Sequence, residues 1–214
     1  MDRRIAMKAK LFLRAFVCLT LLTLTISASG QSLITFDDLS ETGSGSFLQN
    51  GYHGLNWNNF LCNNAILFAN EFGLCGDYYG MVSASNVASC GSEIASPGTN
   101  FNFLSAYLTG VWRSNLSIEV QGFSGTNLLY DQIVVASATN PTLFAFNYLD
   151  IDSLTFSSFG GQNAGFVVGG GLQGSGEQFA MDNLSFEFVP EPSTVLLAAL
   201  GALTLYASLK PKRA

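Results

Sequence analysis

Apolar and polar residues alternate clearly in the second half of the chain. Leu116, Ile118 and Val120 share one face of an extended segment, and the residues between them are polar. A period of two is typical of a β-strand with one buried face. The following loop at 122–127 is rich in Gly and Ser and therefore predicts a hairpin into a strand at 128–135.

The same reasoning predicts the other strands. We expect them at 33–36, 101–111, 142–148, 152–156, 166–168 and 178–188. Residues 62–100 lack a clear period, so we predict long loops there with one strand near 79–82. No window of this region shows the 3.6-residue period of a helix. About eight antiparallel strands without helices predict an all-β fold, an antiparallel β-sandwich.

The first 30 residues have the three-part order of a signal peptide. Five basic residues precede the apolar stretch 15–26, and small residues follow as far as Gly30. This order is typical of a secretory signal that is cleaved, here near Gly30. We therefore expect an exported protein whose folded domain, the body, covers residues 31–188.

The segment 189–214 has a three-part order of its own. It contains Val189, Pro190, Glu191 and Pro192, then an uncharged run from Val195 to Leu209, then Lys210, Lys212 and Arg213. The prolines remove backbone donors, so the preceding strand must stop there. As a helix, the apolar run would cover roughly 22 Å, and its flanking residues would extend it towards the ~30 Å hydrocarbon core. The sequence predicts a transmembrane helix with its basic end in the cytoplasm.

This C-terminal order resembles the PEP-CTERM sorting signal of Gram-negative bacteria. The resemblance implies that a membrane-embedded exosortase recognises the motif, removes the anchor and delivers the protein to the cell surface or extracellular matrix. Before processing, the chain would be a single-pass precursor in the inner membrane, handled by the secretion translocon and signal peptidase. A plain C-terminal anchor and a buried apolar helix are the alternatives that the residues leave open.

The body is strongly acidic. It holds thirteen of the fifteen acidic residues but, of nine basic residues, only Arg113, which gives it a net charge of −12. Such a surface repels nucleic acid and anionic lipid and attracts divalent cations. Nucleic-acid binding is therefore excluded.

The body has few residues suited to catalysis. His53 is the only histidine, and no G-x-S-x-G motif occurs, so a serine or cysteine triad has a single candidate base. The glycine-rich run 169–174 fits G-x-G-x-x-G, but a predicted strand follows it instead of a helix that could receive a phosphate. We therefore predict that the protein is not an enzyme and that it has no catalytic residues.

Two short segments, one near each end of the body, carry aspartates after apolar residues. They are Ile-Thr-Phe-Asp-Asp-Leu at 34–39 and Phe-Ala-Met-Asp-Asn-Leu at 179–184. This layout resembles the jelly-roll domains of galactose-binding-like sugar-binding modules. The resemblance implies a structural calcium that joins the first strand to the last through Asp37, Asp38 and Asp182, since calcium prefers oxygen ligands. Turn formation and capping by the same side chains are the alternative.

Tyrosines and cysteines supply the remaining candidates. Tyr78 and Tyr79, in a predicted loop, are candidate exposed rings for stacking on a sugar. Cys62, Cys75 and Cys90 lie in the body, and an oxidising compartment favours one disulfide among them. We prefer the pair of Cys62 with Cys75, which closes a loop, over Cys75 with Cys90.

Together these features predict a secreted surface or matrix protein sorted by an exosortase. Its expected role is structural or adhesive within an exopolysaccharide matrix, as in other sorted proteins that it resembles. A carbohydrate-binding module with a discrete glycan ligand is the alternative, and a secreted hydrolase is the third. No cofactor is expected apart from the structural calcium.

Overall fold

The computed structural model describes residues 30–190 and Gly201. Residues 30–189 form one compact unit. The predicted signal peptide up to residue 29 and the predicted transmembrane run at 195–209, Gly201 excepted, lie outside the described residues. Within the part of the chain that the structure does describe, no helix is long and apolar enough to cross a bilayer.

The body contains sixteen strands and two helices among its described residues. The strands are β1 Ser32–Ile34, β2 Ser46–Phe47, β3 Asn56–Asn58, β4 Leu61–Asn64, β5 Asn86–Ser89, β6 Glu93–Ala95, β7 Phe101–Gly110, β8 Arg113–Ser114, β9 Leu116–Ser124, β10 Asn127–Ala136, β11 Thr142–Ile151, β12 Ser153–Phe159, β13 Gln162–Asn163, β14 Val167–Val168, β15 Leu172–Gln173 and β16 Phe179–Phe188. The helices are α1 Ala65–Phe72 and α2 Gly76–Gly80.

Two antiparallel sheets enclose the main core. The larger has seven strands in the order β11-β7-β16-β5-β4-β2, with β1 also paired to β16. The smaller has five strands in the order β10-β9-β12-β6-β3. Two short pairs complete the pairing: β13 with the distant β8, and the hairpin of β14 with β15. The predicted all-β antiparallel fold is confirmed, and its two-layer arrangement is that of a β-sandwich.

The main core lies between the facing sides of the sheets. Leu116, Ile118 and Val120 of β9 are fully buried there, as their alternation predicts. Aromatic rings fill much of the remaining space. Those that are fully buried are Phe36, Phe60, Phe101, Phe103, Phe179 and Phe186. Each such side chain contributes roughly 1.5–3 kcal/mol through removal of its surface from water.

The outer face of the seven-stranded sheet is also covered, by α1 and α2. A second apolar cluster forms there around Val87 and Ala180, whose chain neighbours Ala88 and Met181 face the main core instead. Strands β4 and β5 are therefore covered on both sides. This burial on both faces is uncommon for a strand in an antiparallel sandwich and is more typical of layered α/β proteins.

The prediction for residues 62–100 is wrong. Instead of long loops and a strand near 79–82, this region holds both helices and most of β4, all of β5 and all of β6. Asn64 begins α1 by accepting the Leu67 N–H at 3.0 Å, and Gly73 ends it with a positive φ of 108°. With eight and five residues, these helices are too short to show a helical period in the sequence.

The packing of Phe60 generates a prediction. A Cβ added at Gly91 would overlap the buried ring of Phe60, so Gly91→Ala should lower the free energy of unfolding by roughly 1–3 kcal/mol. Gly169→Ala is the matched control, because the nearest atom to its added Cβ is the Glu71 carbonyl oxygen at 4.0 Å. Urea denaturation of both variants measures the difference. Equal stability of the two variants would contradict the packing described here.

Candidate functional site

The three carboxylates predicted to bind calcium, Asp37, Asp38 and Asp182, have different roles in the structure. β16 pairs with β7 along one edge, while β1 and β5 share its other edge. The segment 82–86, here called the clamped segment, leads into β5. No neighbouring strand accepts its first N–H groups, which instead donate to the carboxylates of Asp182 and Asp37.

Asp182 is fully buried and accepts hydrogen bonds from the beginning of the clamped segment. Its Oδ2 accepts the backbone N–H groups of Val82 at 2.7 Å and Ser83 at 2.9 Å, and the Ser83 hydroxyl donates to Oδ1 at 2.9 Å. Burial raises the pKa of Asp182, and these donors act in the opposite direction. The carboxylate is thus saturated by protein donors.

Asp37 holds the other end of the clamped segment. Its two oxygens accept the N–H groups of Ala84, Ser85 and Asn86 at 2.9–3.0 Å. Burial raises the pKa of Asp37, but the hydrogen bonds from residues 83–86 outweigh it, so the pKa lies below its ordinary value. The side-chain amide of Asn86 in turn donates hydrogen bonds to the carbonyl oxygens of Phe36 and Leu39, on either side of Asp37.

Asp38 does not join this arrangement. It is exposed, accepts the Tyr52 hydroxyl at 2.6 Å and lies 3.6 Å from His53 Nε2. Among residues 30–190, no group of three His, Cys, Asp or Glu side chains is arranged to hold a metal ion. Asp37 and Asp182 link the two ends of the body through backbone N–H groups, whereas Asp38 faces solvent, so the three carboxylates do not form one cluster.

Asp77 forms the center of a second polar arrangement. Because Cys62 of β4 faces the main core, Asn63 faces the opposite side, beneath the helices. Its Nδ2 donates to Asp77 Oδ2 at 3.3 Å, and both residues are buried. Burial raises the pKa of Asp77 to about 6, and the neighbouring Asn63 amide and Cys75 thiol lower it by less.

A cavity of about 150 Å³ opens beside Asp77. Its lining includes Asn63, Phe68, Asp77, Trp112 and Gln178. Three side-chain oxygens of these residues are buried without a hydrogen-bond partner, namely Asn63 Oδ1, Asp77 Oδ1 and Gln178 Oε1. We call this space the Asp77 cavity. Sequence reasoning missed it, and the one available signal was an acidic residue in an apolar stretch of a body with a single basic residue.

The tyrosines predicted as a sugar platform lie on α2, at the surface beside the Asp77 cavity. Tyr78 is 37% exposed. Tyr79 is half-buried and stacks on Phe166, with ring centroids 5.6 Å apart and planes at 18°. The two tyrosine rings meet edge to face at 5.6 Å. Only Tyr78 therefore presents a substantial ring surface to solvent.

The predicted disulfide between Cys62 and Cys75 is absent among the described residues. Both thiols are free and buried, and the alternative partner Cys90 is free and exposed. Cys62 packs in the main core, whereas Cys75 belongs to the cluster on the outer face of the same sheet. The sheet thus separates the two sulfur atoms. Burial raises the pKa of each of these two thiols to about 12, so both stay protonated at neutral pH.

The glycine-rich run and the sorting motif lie at positions that agree with their predicted context. Gly169–Gly171 form the turn between β14 and β15, with Gly170 and Gly171 at positive φ. β16 ends at Phe188, and Val189 donates its N–H to the Asn100 carbonyl at 2.8 Å. Pro190, the first residue of the Pro-Glu-Pro sequence, follows Val189 directly.

Comparison with known proteins identifies the C-terminal segment. Residues 188–213 match the PEP-CTERM protein-sorting motif. This motif implies a secreted protein that an exosortase processes from a membrane-anchored precursor. A comparison with curated proteins found no match.

Among solved structures, the chain is similar to a DUF4465 family protein from Bacteroides ovatus. The two are 10% identical, the similarity covers 76% of this chain and 90% of that chain, and the TM-score is 0.35. A likeness at this TM-score does not define a shared fold, and the galactose-binding-like fold is not established.

The Asp37 arrangement leads to a prediction about stability. Asp37→Ala leaves three N–H groups of the clamped segment without an acceptor, which should cost roughly 2–4 kcal/mol of unfolding free energy at pH 7. Folding lowers the pKa of Asp37. Its contribution to the free energy of unfolding is therefore complete above pH 3.8 and is lost as the pH falls through the lower pKa of the folded state. Chemical denaturation at pH 7 and pH 3 measures both effects.

Asp38→Ala is the matched control for that variant. Its exposed contacts should be worth less than about 1 kcal/mol. Since protein donors saturate Asp37 and Asp182, the Tm of the wild-type protein should be the same in calcium as in a chelator. A Tm that rises with calcium and no longer does so in Asp37→Ala would restore the predicted metal site.

Asp77 leads to a prediction about pH. Because its pKa rises from 3.8 in the unfolded chain to about 6, the folded protein retains a proton that the unfolded chain loses. The stabilisation from this proton is complete below pH 3.8 and is lost as the pH rises through about 6. The free energy of unfolding should fall by about 3 kcal/mol over this range. Asp77→Asn should flatten this slope and stabilise the protein at pH 8, as measured by Tm. The exposed Asp131→Asn control should keep the slope, and a sloped Asp77→Asn profile would refute the assignment.

Proposed function

We propose that this protein is a structural or adhesive component of an exopolysaccharide matrix, delivered there by exosortase-dependent sorting. The observation that carries the proposal is the PEP-CTERM motif at residues 188–213. The motif supplies the route to the surface, and the matrix role is inferred from that destination together with the properties of the body.

The charge of the body supports this role. A net charge of −12 over residues 31–188 keeps the released protein soluble among other polymers and repels anionic lipid. Arg113 is the only Lys or Arg in that range, and its guanidinium is engaged by the carbonyl oxygens of Gly160, Gly161 and Gly176. Once its anchor is removed, the body has little attraction for the membrane that it leaves.

The end of the body supports processing on a folded substrate. Val189 is hydrogen-bonded to Asn100, and only Pro190 to Thr194 separate it from the apolar run that begins at Val195. Five extended residues span at most about 17 Å. Proline has no backbone N–H group, so neither Pro190 nor Pro192 can donate to a further ladder hydrogen bond with β7 or β1.

A carbohydrate-binding module is the second candidate, and the exposed ring of Tyr78 favours it. An aromatic face at the surface can stack on a sugar ring. A glycan array distinguishes the two functions. Binding to one defined glycan that is lost in Tyr78→Ala supports the module, whereas absence of a discrete ligand agrees with a matrix component.

The sorting route gives the central prediction. Replacement of Pro190, Glu191 and Pro192 by alanine should leave membrane insertion intact, because the apolar run and basic end are unchanged, but should block processing. Mass spectrometry of wild-type protein from the cell surface should find no residues beyond about Pro192, whereas the triple variant should retain Ala214 and fractionate with membranes. Its secreted amount in the matrix fraction should fall at least tenfold.

Ser193→Ala combined with Thr194→Ala is the matched control, since it changes neighbouring residues outside the motif and should be processed normally. If the native surface protein still carries Ala214, the segment acts as a simple anchor. If the protein is processed but is recovered only in the medium and never with the polysaccharide, sorting stands and the matrix role is refuted.

A further inference from the structure

We propose that the Asp77 cavity binds a small organic ammonium ion, with its N–H groups against Asp77 and its carbon atoms between Phe68 and Trp112. This site is independent of the sorting motif. The proposal is supported by the hydrogen-bonding groups of the cavity, its charge and its apolar walls.

The unpartnered atoms of the cavity are all acceptors. Of the five buried side-chain atoms without a partner among the described residues, three belong to residues that line this one space. The orientation of Asn63 is set by Asp77, because Nδ2 donates to the carboxylate and Oδ1 is therefore left unpaired. A ligand that satisfies Asn63 Oδ1, Asp77 Oδ1 and Gln178 Oε1 must bring several hydrogen-bond donors.

The charge of the cavity requires a cationic ligand. Asp77 is only 4% exposed, and an unpaired buried carboxylate is costly. The body offers no counterion, since Arg113 is held by three carbonyl groups elsewhere. A second carboxylate approaches the lining, because a Cβ added at Gly43 would lie 3.1 Å from Glu71 Oε2. Both acidic groups favour a cation.

The walls favour an organic cation over a metal ion. Phe68 and Trp112 contribute aromatic surface, and Leu61 and Val111 contribute aliphatic surface. Aromatic faces attract ammonium groups through cation–π interactions. Trp112 is held in place, because its ring packs directly on Gly174. The described residues provide no three-residue metal cluster, and a volume of about 150 Å³ lies below the usual range for drug-sized ligands, so it suits a molecule of a few heavy atoms.

The other titratable groups around Asp77 do not change charge near neutral pH. Burial raises the pKa of Cys75 to about 12 and also raises that of Cys90, so both thiols stay neutral. Binding should therefore follow the ionisation of Asp77. With a pKa of about 6, affinity at pH 4.5 should be about thirtyfold lower than at pH 8.

The test is calorimetric titration of the full chain in detergent micelles with propylammonium chloride, at pH 8 and pH 4.5. A ligand of four heavy atoms is limited to a Kd of about 40 μM at best. We expect measurable binding at pH 8, about thirtyfold weaker binding at pH 4.5, and no binding of 1-propanol, which has the same shape without charge.

Asp77→Asn should weaken propylammonium binding at least tenfold while retaining a cooperative thermal transition. Asp131→Asn removes the same charge from the exposed strand β10 and should bind as the wild type does. Equal binding of propanol, calcium binding that displaces propylammonium, or unchanged binding in Asp77→Asn would each overturn the proposal. Absence of propylammonium binding to folded wild-type protein at pH 8 would also overturn it.

Discussion

The folded body depends on how the backbone N–H groups of the clamped segment are satisfied. β1 and β5 both pair with the same edge of β16. The clamped segment just before β5 has no neighbouring strand that could accept its first N–H groups. Asp182 and Asp37 provide those acceptors. Most of these N–H groups are partly buried, and a fully buried N–H group without a partner costs about 1–3 kcal/mol, so loss of all their acceptors would remove a large part of the stability of a domain. The same hydrogen bonds fix the start of β5 and the chain that leaves α2, and thereby the position of Asp77.

The long strands could be predicted because each has one face in the main core. The alternation at Leu116, Ile118 and Val120 is a direct consequence of that burial. β5 could not be recognised in this way, since all four of its residues are buried and no alternation is left. The helices were missed for a different reason. α1 spans only eight residues, and its clearest signal is the single capping side chain of Asn64, which is equally common in turns.

The candidate sites were predictable only in part. The resemblance to jelly-roll modules pointed to Asp37 and Asp182 as residues that join the two ends of the body, but main-chain donors have no sequence signature, so the hydrogen bonds that these carboxylates accept from N–H groups were not predicted. The Asp77 cavity depends on groups that converge from β4, both helices and the loops around Trp112 and Gln178. Such convergence is a property of tertiary packing. Only the scarcity of basic residues, which leaves a buried carboxylate without a counterion, was visible in the sequence.

The position of β16 has a mechanical consequence. This strand lies inside the seven-stranded sheet, paired to β7 on one side and to β1 and β5 on the other. The PEP-CTERM motif begins at its last residue, Phe188. In an antiparallel sheet, interstrand hydrogen bonds run perpendicular to the strands. A pulling force on the C-terminus would act along β16 and shear its hydrogen bonds together, instead of opening them one at a time. As long as the chain is a membrane-anchored precursor, the body would therefore resist tension that acts through its C-terminus.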